Sequence, residues 1–243
     1  VIVTGAARGI GAAIATACAT EGARVALLDV DGDGVARLTS RLGDTPDGPH
    51  VHGTVDLADP VATRTATEVA VAALEGVDVL VNNAGILRMA PLLDITIDDW
   101  DATMDVNARS MLVTTQVVAR SMIAAGHGGS IVNMASMGGR VGSPGQAHYA
   151  ASKAAVMALT RVSAMELGEH AIRVNCVCPG YVLTEMGADT RTPEMVAGWS
   201  ALSPLGRCGT PDDVARMAVF LASDESSYCT GQALDVSGGM VMP

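Results

Sequence analysis

Apolar positions in this chain fall into two alternating kinds of segment. Short apolar runs, Val1–Val3, Arg24–Asp29, His50–Val55, Val77–Val81, Ser130–Ala135, Ile172–Cys178 and Ala233–Val236, read as strands. Longer stretches of helical composition lie between them: one after Gly11 to about Glu21, then Asp33–Leu42, Asp59–Leu74, Ile97–Val106, Ala108–Ala125, Ala150–Leu167 and Pro211–Leu221. This alternation predicts an α/β fold. The expected architecture is a Rossmann-type doubly wound parallel sheet of about seven strands, with helices on both faces, forming a single domain over residues 1–243. Residues 187–204 carry polar and Pro breakers around a lone Trp199 and are expected as an irregular flap. Asn107 falls between two helical stretches. Its side chain competes for backbone hydrogen bonds, so it marks a kink.

Composition narrows the class. Hydrophobic residues make up 49% of the chain, yet it holds one Phe, two Trp and three Tyr, so Ala, Val, Leu, Ile and thirteen Met must build the core. The formal net charge of -11 argues against nucleic acid or an anionic membrane as partner. Cys18, Cys176, Cys178, Cys208 and Cys229 form no C-x-x-C pair and no His/Cys metal spacing, so no metal site is expected. Cys176 and Cys178 read as small buried thiols on one side of a strand. No signal-peptide pattern opens the chain, and no apolar stretch reaches the ~18 residues of a membrane span. A reducing, cytoplasmic location is the expectation. The chain starts in mid-strand without a Met, so a natural start slightly earlier is also expected.

The first strand runs into Thr4-Gly5-Ala6-Ala7-Arg8-Gly9-Ile10-Gly11 and then a helix. Strand, glycine turn and helix together present backbone N–H groups and a helix N-terminus to a pyrophosphate. The spacing is G-x-x-x-G-x-G rather than G-x-G-x-x-G, and alone it is a weak signal. Asp29 ends the second strand, where an acid would grip a ribose 2′-hydroxyl; beside the glycine loop this role is favoured over that of a cap or loop acid. Asp56, ahead of Leu57, suits either an adenine amino group or a cap. Asn82-Asn83-Ala84-Gly85 suits polar bracing beside a ligand, or an ordinary turn.

Tyr149 and Lys153 stand four residues apart at the start of a helix, which puts phenol and ammonium on one face. A free tyrosine titrates near ~10. A neighbouring positive charge lowers that value and equips the phenol to exchange a proton with an alcohol or ketone oxygen. Ser136, just past a strand, could hold the same oxygen.

Taken in order and spacing, the Thr4–Gly11 loop, Asn82–Gly85, Asn107, Ser136, Tyr149-x-x-x-Lys153 and Pro179-Gly180 make the chain resemble the short-chain dehydrogenase/reductase family over essentially its whole length. The resemblance implies a nicotinamide cofactor and a general acid/base role for Tyr149. Lys153 would lower the tyrosine pKa and hold the nicotinamide ribose, Ser136 would orient the substrate carbonyl, and Asn107 would brace Lys153 through a water. Thr4 would stabilise the glycine loop, Asn83 the central sheet, and Val182 and Thr184 would meet the nicotinamide amide. Gly5, Arg8, Gly9, Ile10, Gly11, Asp29, Asp56, Leu57, Ala84, Gly85, Pro179 and Gly180 complete the expected cofactor set. A homo-oligomer, commonly a tetramer, is implied on the same ground.

Asp29 points to NAD(H), although Arg8 occupies a position where NADP-using relatives often place a base. Two substrate classes compete. The tail from Phe220 to Met242 resembles 3-oxoacyl-[acyl-carrier-protein] reductases, whereas Pro179–Met186 resembles NAD-linked sugar-alcohol and secondary-alcohol dehydrogenases. A small secondary alcohol or ketone is the favoured expectation, with Leu87, Arg140, Gln146, Tyr181, Met186 and Trp199 lining the pocket. A carrier-protein ketoreductase using NADPH is the alternative, and a non-catalytic NAD(H)-binding regulator a minor one.

Overall fold

In the computed structural model, which describes residues 1–186 and 188–242, seven parallel strands form one sheet. They are β1 Ile2–Thr4, β2 Ala26–Asp29, β3 Val51–Thr54, β4 Val79–Asn82, β5 Gly129–Met134, β6 Ile172–Pro179 and β7 Ala233–Val236. Their order is β3-β2-β1-β4-β5-β6-β7. The chain therefore builds outward from β1, then returns to its other side at β4. This reversal opens a crevice at the carboxyl ends of β1 and β4, where ligands bind in such sheets.

Side chains alternate across the sheet, and both faces are apolar because helices cover both. One layer packs Val3, Leu27, Val81, Val132 and Val177 against α1 (Gly9–Thr20), α2 (Gly32–Leu42) and α8 (Pro211–Ala222). The other packs Ile2, Leu28, Leu80, Ile131 and Val174 against α3 (Pro60–Ala73), α5 (Ser110–Ala125) and α6 (Ala147–Leu167). A third cluster, Met111, Ala135, Val156, Met157, Cys176 and Cys178, lies beneath the end of β5. All five cysteines are free thiols. Among the described residues, no helix is long and apolar enough to cross a membrane.

Helix starts follow local chemistry. The Asp59 carboxylate accepts from the Val61 and Ala62 N–H groups ahead of α3, with Pro60 supplying a fixed first turn. Thr210 and Asp213 form a reciprocal capping box on α8. Arg173 donates to the Leu221 and Ser223 carbonyls at the far end of α8.

Two segments differ from expectation. Gly187 lies outside the described residues, but the rest of the expected flap is not irregular. It holds a turn at Ala188–Thr190 and a nine-residue helix, α7 (Pro193–Ala201), capped by Thr192. Thr192-Pro193 repeats the Thr210-Pro211 start signal, and the helix buries none of its side chains fully, so periodicity gave no sign of it. The break at Asn107 is a π-turn, Asp105–Arg109, which joins α4 (Ile97–Met104) to α5 without ending the helix. Such turns insert one residue into the helical ladder and commonly mark functional positions.

Candidate active site

The crevice is built by close backbone approach. Gly5 and Gly9 take the left-handed backbone (φ 64° and 57°) that glycine adopts without strain. A Cβ on Gly11 would lie 2.0 Å from the Gly5 carbonyl oxygen and 2.5 Å from Asn83 Nδ2, so nothing larger fits there. Asn83 Nδ2 donates to the carbonyls of Thr4 and Gly5, both at 3.0 Å. The Thr4 hydroxyl in turn accepts from the Asn83 and Ala84 N–H groups at 3.0 and 3.1 Å. Thr4 and Asn83 thus lock the glycine loop to the end of β4.

Asn83 ties β1 to β4 across the centre of the sheet, as expected, and Asn82 braces the next pair of strands. This buried amide donates to Asn133 Oδ1 and Thr115 Oγ1 and accepts from Thr114 Oγ1. Asn133 passes the network on to Thr160 of α6. Adjacent amides in one turn are indistinguishable by composition; the strand register, Asn82 beside Asn133, decides which one faces β5.

Helix α1 starts at Gly9 with no side-chain cap from Arg8 and no acid in its first turn. Its N–H groups and the positive end of its dipole are therefore left for an anion. Asp29 stands at the end of β2 and accepts from the Ala7 N–H at 2.9 Å and the Asp31 N–H at 3.0 Å. It braces the loop, and these bonds leave its oxygens capacity to accept from ribose hydroxyls. Asp56 accepts from the Ala58 N–H at 2.9 Å, which is the capping alternative, and Leu57 is buried in the core. A Cβ on Gly180 would meet Ser237 Cα at 2.9 Å, so that glycine serves the packing of the tail segment. Val182 bridges Gly209, and Thr184 rests against Gly9. A glycine cradle, an uncapped helix N-terminus and an acid at the end of β2 fit a dinucleotide.

Beside the crevice, the proton-handling residues converge. Gly138 reports it: a Cβ there would lie 3.4 Å from both Ser136 Oγ and Tyr149 Cε1. Gly85 does the same on the other side, with Asn107 Oδ1 at 3.2 Å and Lys153 Nζ at 3.3 Å from its would-be Cβ. Asn107 accepts from the Ile86 N–H at 2.8 Å and donates to the Ile86 carbonyl and Ser152 Oγ, both at 3.0 Å. Ser152, which the sequence reading passed over, donates onward to the Tyr149 carbonyl. The π-turn thereby ties the β4 loop to the helix that carries Tyr149 and Lys153.

Lys153 Nζ is buried, donates to the Met134 carbonyl at 2.8 Å, and lies 5.8 Å from the centre of the Tyr149 ring. Burial pulls its pKa down to about 8, with partial opposition from the nearby Cys178 and Cys176 thiols. Tyr149 departs from expectation. Burial pushes its pKa up and the Ser136 hydrogen bond only partly opposes this, so the phenol keeps its proton in the cofactor-free protein.

Among the expected pocket residues, Tyr181 stacks on Trp199 of α7 with centroids 4.6 Å apart. Met186 is exposed, and Leu87 and Gln146 are half-buried. Arg140 is otherwise engaged: it pairs with Asp235 at 2.9 Å and donates to the Ala233 carbonyl, fastening the Gly138–Val141 turn to β7. It is a brace, which corrects its assignment to the pocket lining.

Comparison with known proteins agrees with this geometry. A family model described as Enoyl-(Acyl carrier protein) reductase matches residues 5–241. The (3R)-3-hydroxyacyl-CoA dehydrogenase of Rattus norvegicus is 41% identical over 249 residues, covering 99% of this chain and 95% of that protein. D-threitol dehydrogenase of Mycolicibacterium smegmatis is 40% identical over 238 residues, covering 98% of this chain and 91% of that protein. A short-chain type dehydrogenase/reductase from Mycobacterium marinum, solved by crystallography, aligns with a TM-score of 0.93 at 35% identity, covering 100% of this chain and 95% of that one.

Proposed function

The chain belongs to the short-chain dehydrogenase/reductase family of oxidoreductases acting on hydroxyl and keto groups, and we propose that it is an NAD(H)-dependent member that interconverts a secondary alcohol and its ketone. The observation that carries this reading is the convergence of Ser136 Oγ and Tyr149 on Gly138, beside Lys153 and Asn107 on Gly85. The nicotinamide would supply the hydride acceptor or donor; the chain supplies position and the proton. Thr4, Gly5, Gly9, Ile10 and Gly11 would hold the pyrophosphate, and Asp29 the adenosine ribose.

Tyr149, kept protonated by burial, is the acid that donates to a ketone oxygen held by Ser136. In the reverse direction the same phenol, once ionised, accepts the alcohol proton, and the adjacent Lys153 ammonium stabilises that ionised form. Asn107 fixes the β4 loop and α6 relative to each other, so that Lys153 and Tyr149 keep their spacing.

Asp29 supports NAD(H), because a carboxylate there would repel a 2′-phosphate. A second reading, a 3-oxoacyl-[acyl-carrier-protein] reductase using NADPH, draws on the acyl thioester class shared by the rat relative's name and the family model's description. Five unpaired thiols support a cytoplasmic setting, and the family resemblance supports a homotetramer. The test is a fluorescence titration of NADH against NADPH at fixed salt, followed by substrate screening. Tenfold tighter NADH binding, about 1.4 kcal/mol of discrimination, is expected, with oxidation of secondary alcohols or polyols. Tighter NADPH binding with activity on acyl thioesters would replace the first reading by the second.

A further inference from the structure

Helix α1 ends the glycine loop with its first-turn N–H groups uncapped by its own sequence, yet a carboxylate from a distant segment stands over that turn. A Cβ on Gly9 would lie 3.4 Å from Glu185 Oε2 and 3.5 Å from Thr184 Cβ and Cγ2. The segment that carries Glu185 is pinned upstream. Val182 bridges Gly209, the Leu183 N–H donates to the Gly209 carbonyl at 3.0 Å, and the Gly209 N–H donates to the Tyr181 carbonyl at 2.8 Å. Tyr181 is held in turn by the Trp199 ring. Glu185 is therefore anchored within a few residues of a fixed point, and its carboxylate shares the space over Gly9 with whatever anion the helix N-terminus holds.

We propose that Glu185 sets the strength and lifetime of cofactor binding, its carboxylate repelling the dinucleotide pyrophosphate at the glycine loop and so speeding release. The proposal rests on the dinucleotide reading above. In the empty protein Glu185 is itself favourably placed, a negative charge at the positive end of α1. When the pyrophosphate arrives, two like-charged groups share the space beside Gly9. The cofactor must then displace or tolerate a carboxylate that the fold keeps close. The effect opposes tight binding at the pyrophosphate and leaves selection at the ribose to Asp29.

Glu185→Gln removes the charge and keeps the shape, at an exposed position outside the core. NADH is titrated into the native protein and this variant by nicotinamide fluorescence at low and high salt, and the dissociation rate is taken from stopped-flow displacement. The variant is expected to bind NADH about three- to tenfold more tightly and to release it correspondingly more slowly. The gap closes as salt rises, because charges near solvent are screened over about 10 Å at 0.1 M. Equal or weaker affinity in the variant, in a protein that still binds NADH, overturns the role of Glu185 and leaves the dinucleotide reading standing. Failure of both proteins to bind NADH or NADPH overturns both.

Discussion

The floor of the site and the segment that overhangs it are held by different kinds of force. On the floor, Asn107, Ser152 and Lys153 are buried, and each donates or accepts a hydrogen bond with backbone or side chain. The glycine loop beside them is packed so closely that Gly11 has no room for a methyl group. The overhanging segment from Tyr181 to Leu205 is different. Among its described residues it is held by a bridge and two backbone hydrogen bonds at Gly209, one aromatic stack, and Ser203 and Leu205 donating to the Gly238 carbonyl, while Met186, Met195, Leu202 and Leu205 stay exposed. Chemistry common to a family needs fixed geometry, whereas a looser wall would suit substrate selection. The contrast predicts that changes on the floor alter rate and stability, and changes in the overhang alter which molecules are accepted and, at Glu185, how tightly the cofactor is held.

The largest effect is expected on the floor. Tyr149→Phe removes one hydroxyl and keeps the ring that packs near Gly138, so the fold and cofactor affinity should survive. Turnover should fall by about 10²- to 10⁴-fold, the usual contribution of a positioned acid/base. Steady-state kinetics beside an NADH titration checks this. A variant that kept near-native turnover would remove Tyr149 from the chemistry and break the contrast at its strongest point.

The second effect concerns charge. Lys153 has a pKa of about 8 in the folded chain, against about 10.4 for a free lysine. Burying its charged form therefore costs stability at neutral pH. The cost is in full force below pH 8, where both states are protonated, and it fades between pH 8 and about 10.4 as the folded state loses its proton first. Lys153→Met is thus expected to be more stable than the native protein at pH 7, by about 1–3 kcal/mol. The advantage should shrink as pH rises through that window. Urea unfolding of both proteins at pH 7 and pH 9.5 measures it, and a constant difference would show that burial of this charge is not what the lysine site pays for.

Much of this was legible in the sequence because the signals were local. Apolar runs located the sheet, the Thr4–Gly11 loop located the crevice, and helical spacing joined Tyr149 to Lys153. Asn107 was visible as a misfit in a helix. Its π-turn was not, because that form depends on Ile86 and Ser152, which lie far from it in sequence. The upward push on Tyr149 was hidden for the same reason: spacing shows a neighbouring charge but not the burial that raises the phenol's pKa. Arg140 read as pocket lining until the third dimension supplied Asp235. Helix α7 carried a start signal at Thr192-Pro193, but no buried stripe supported it.

The smallest effect, and the one that sharpens the contrast most, belongs to the overhang. Tyr181 and Trp199 lie nearly parallel, 6° apart, and join the loop after β6 to α7. An aromatic pair of this kind contributes about 0.5–1.5 kcal/mol beyond its buried area, which in a domain of this size moves Tm by only a few degrees, about 2–4 °C for each kcal/mol. Tyr181→Ala should therefore leave the protein folded, and any gain in NADH affinity from loosening Glu185 should not exceed the three- to tenfold expected of Glu185→Gln. It should free the indole, and the emission of Trp199 should change while that of Trp100, on α4, should not; a Trp100→Phe background isolates the signal. Without the stack to hold α7, bulkier alcohols should gain in kcat/KM relative to small ones. A uniform fall for every substrate would place Tyr181 with the floor, and the division of labour between the two regions would have to be redrawn.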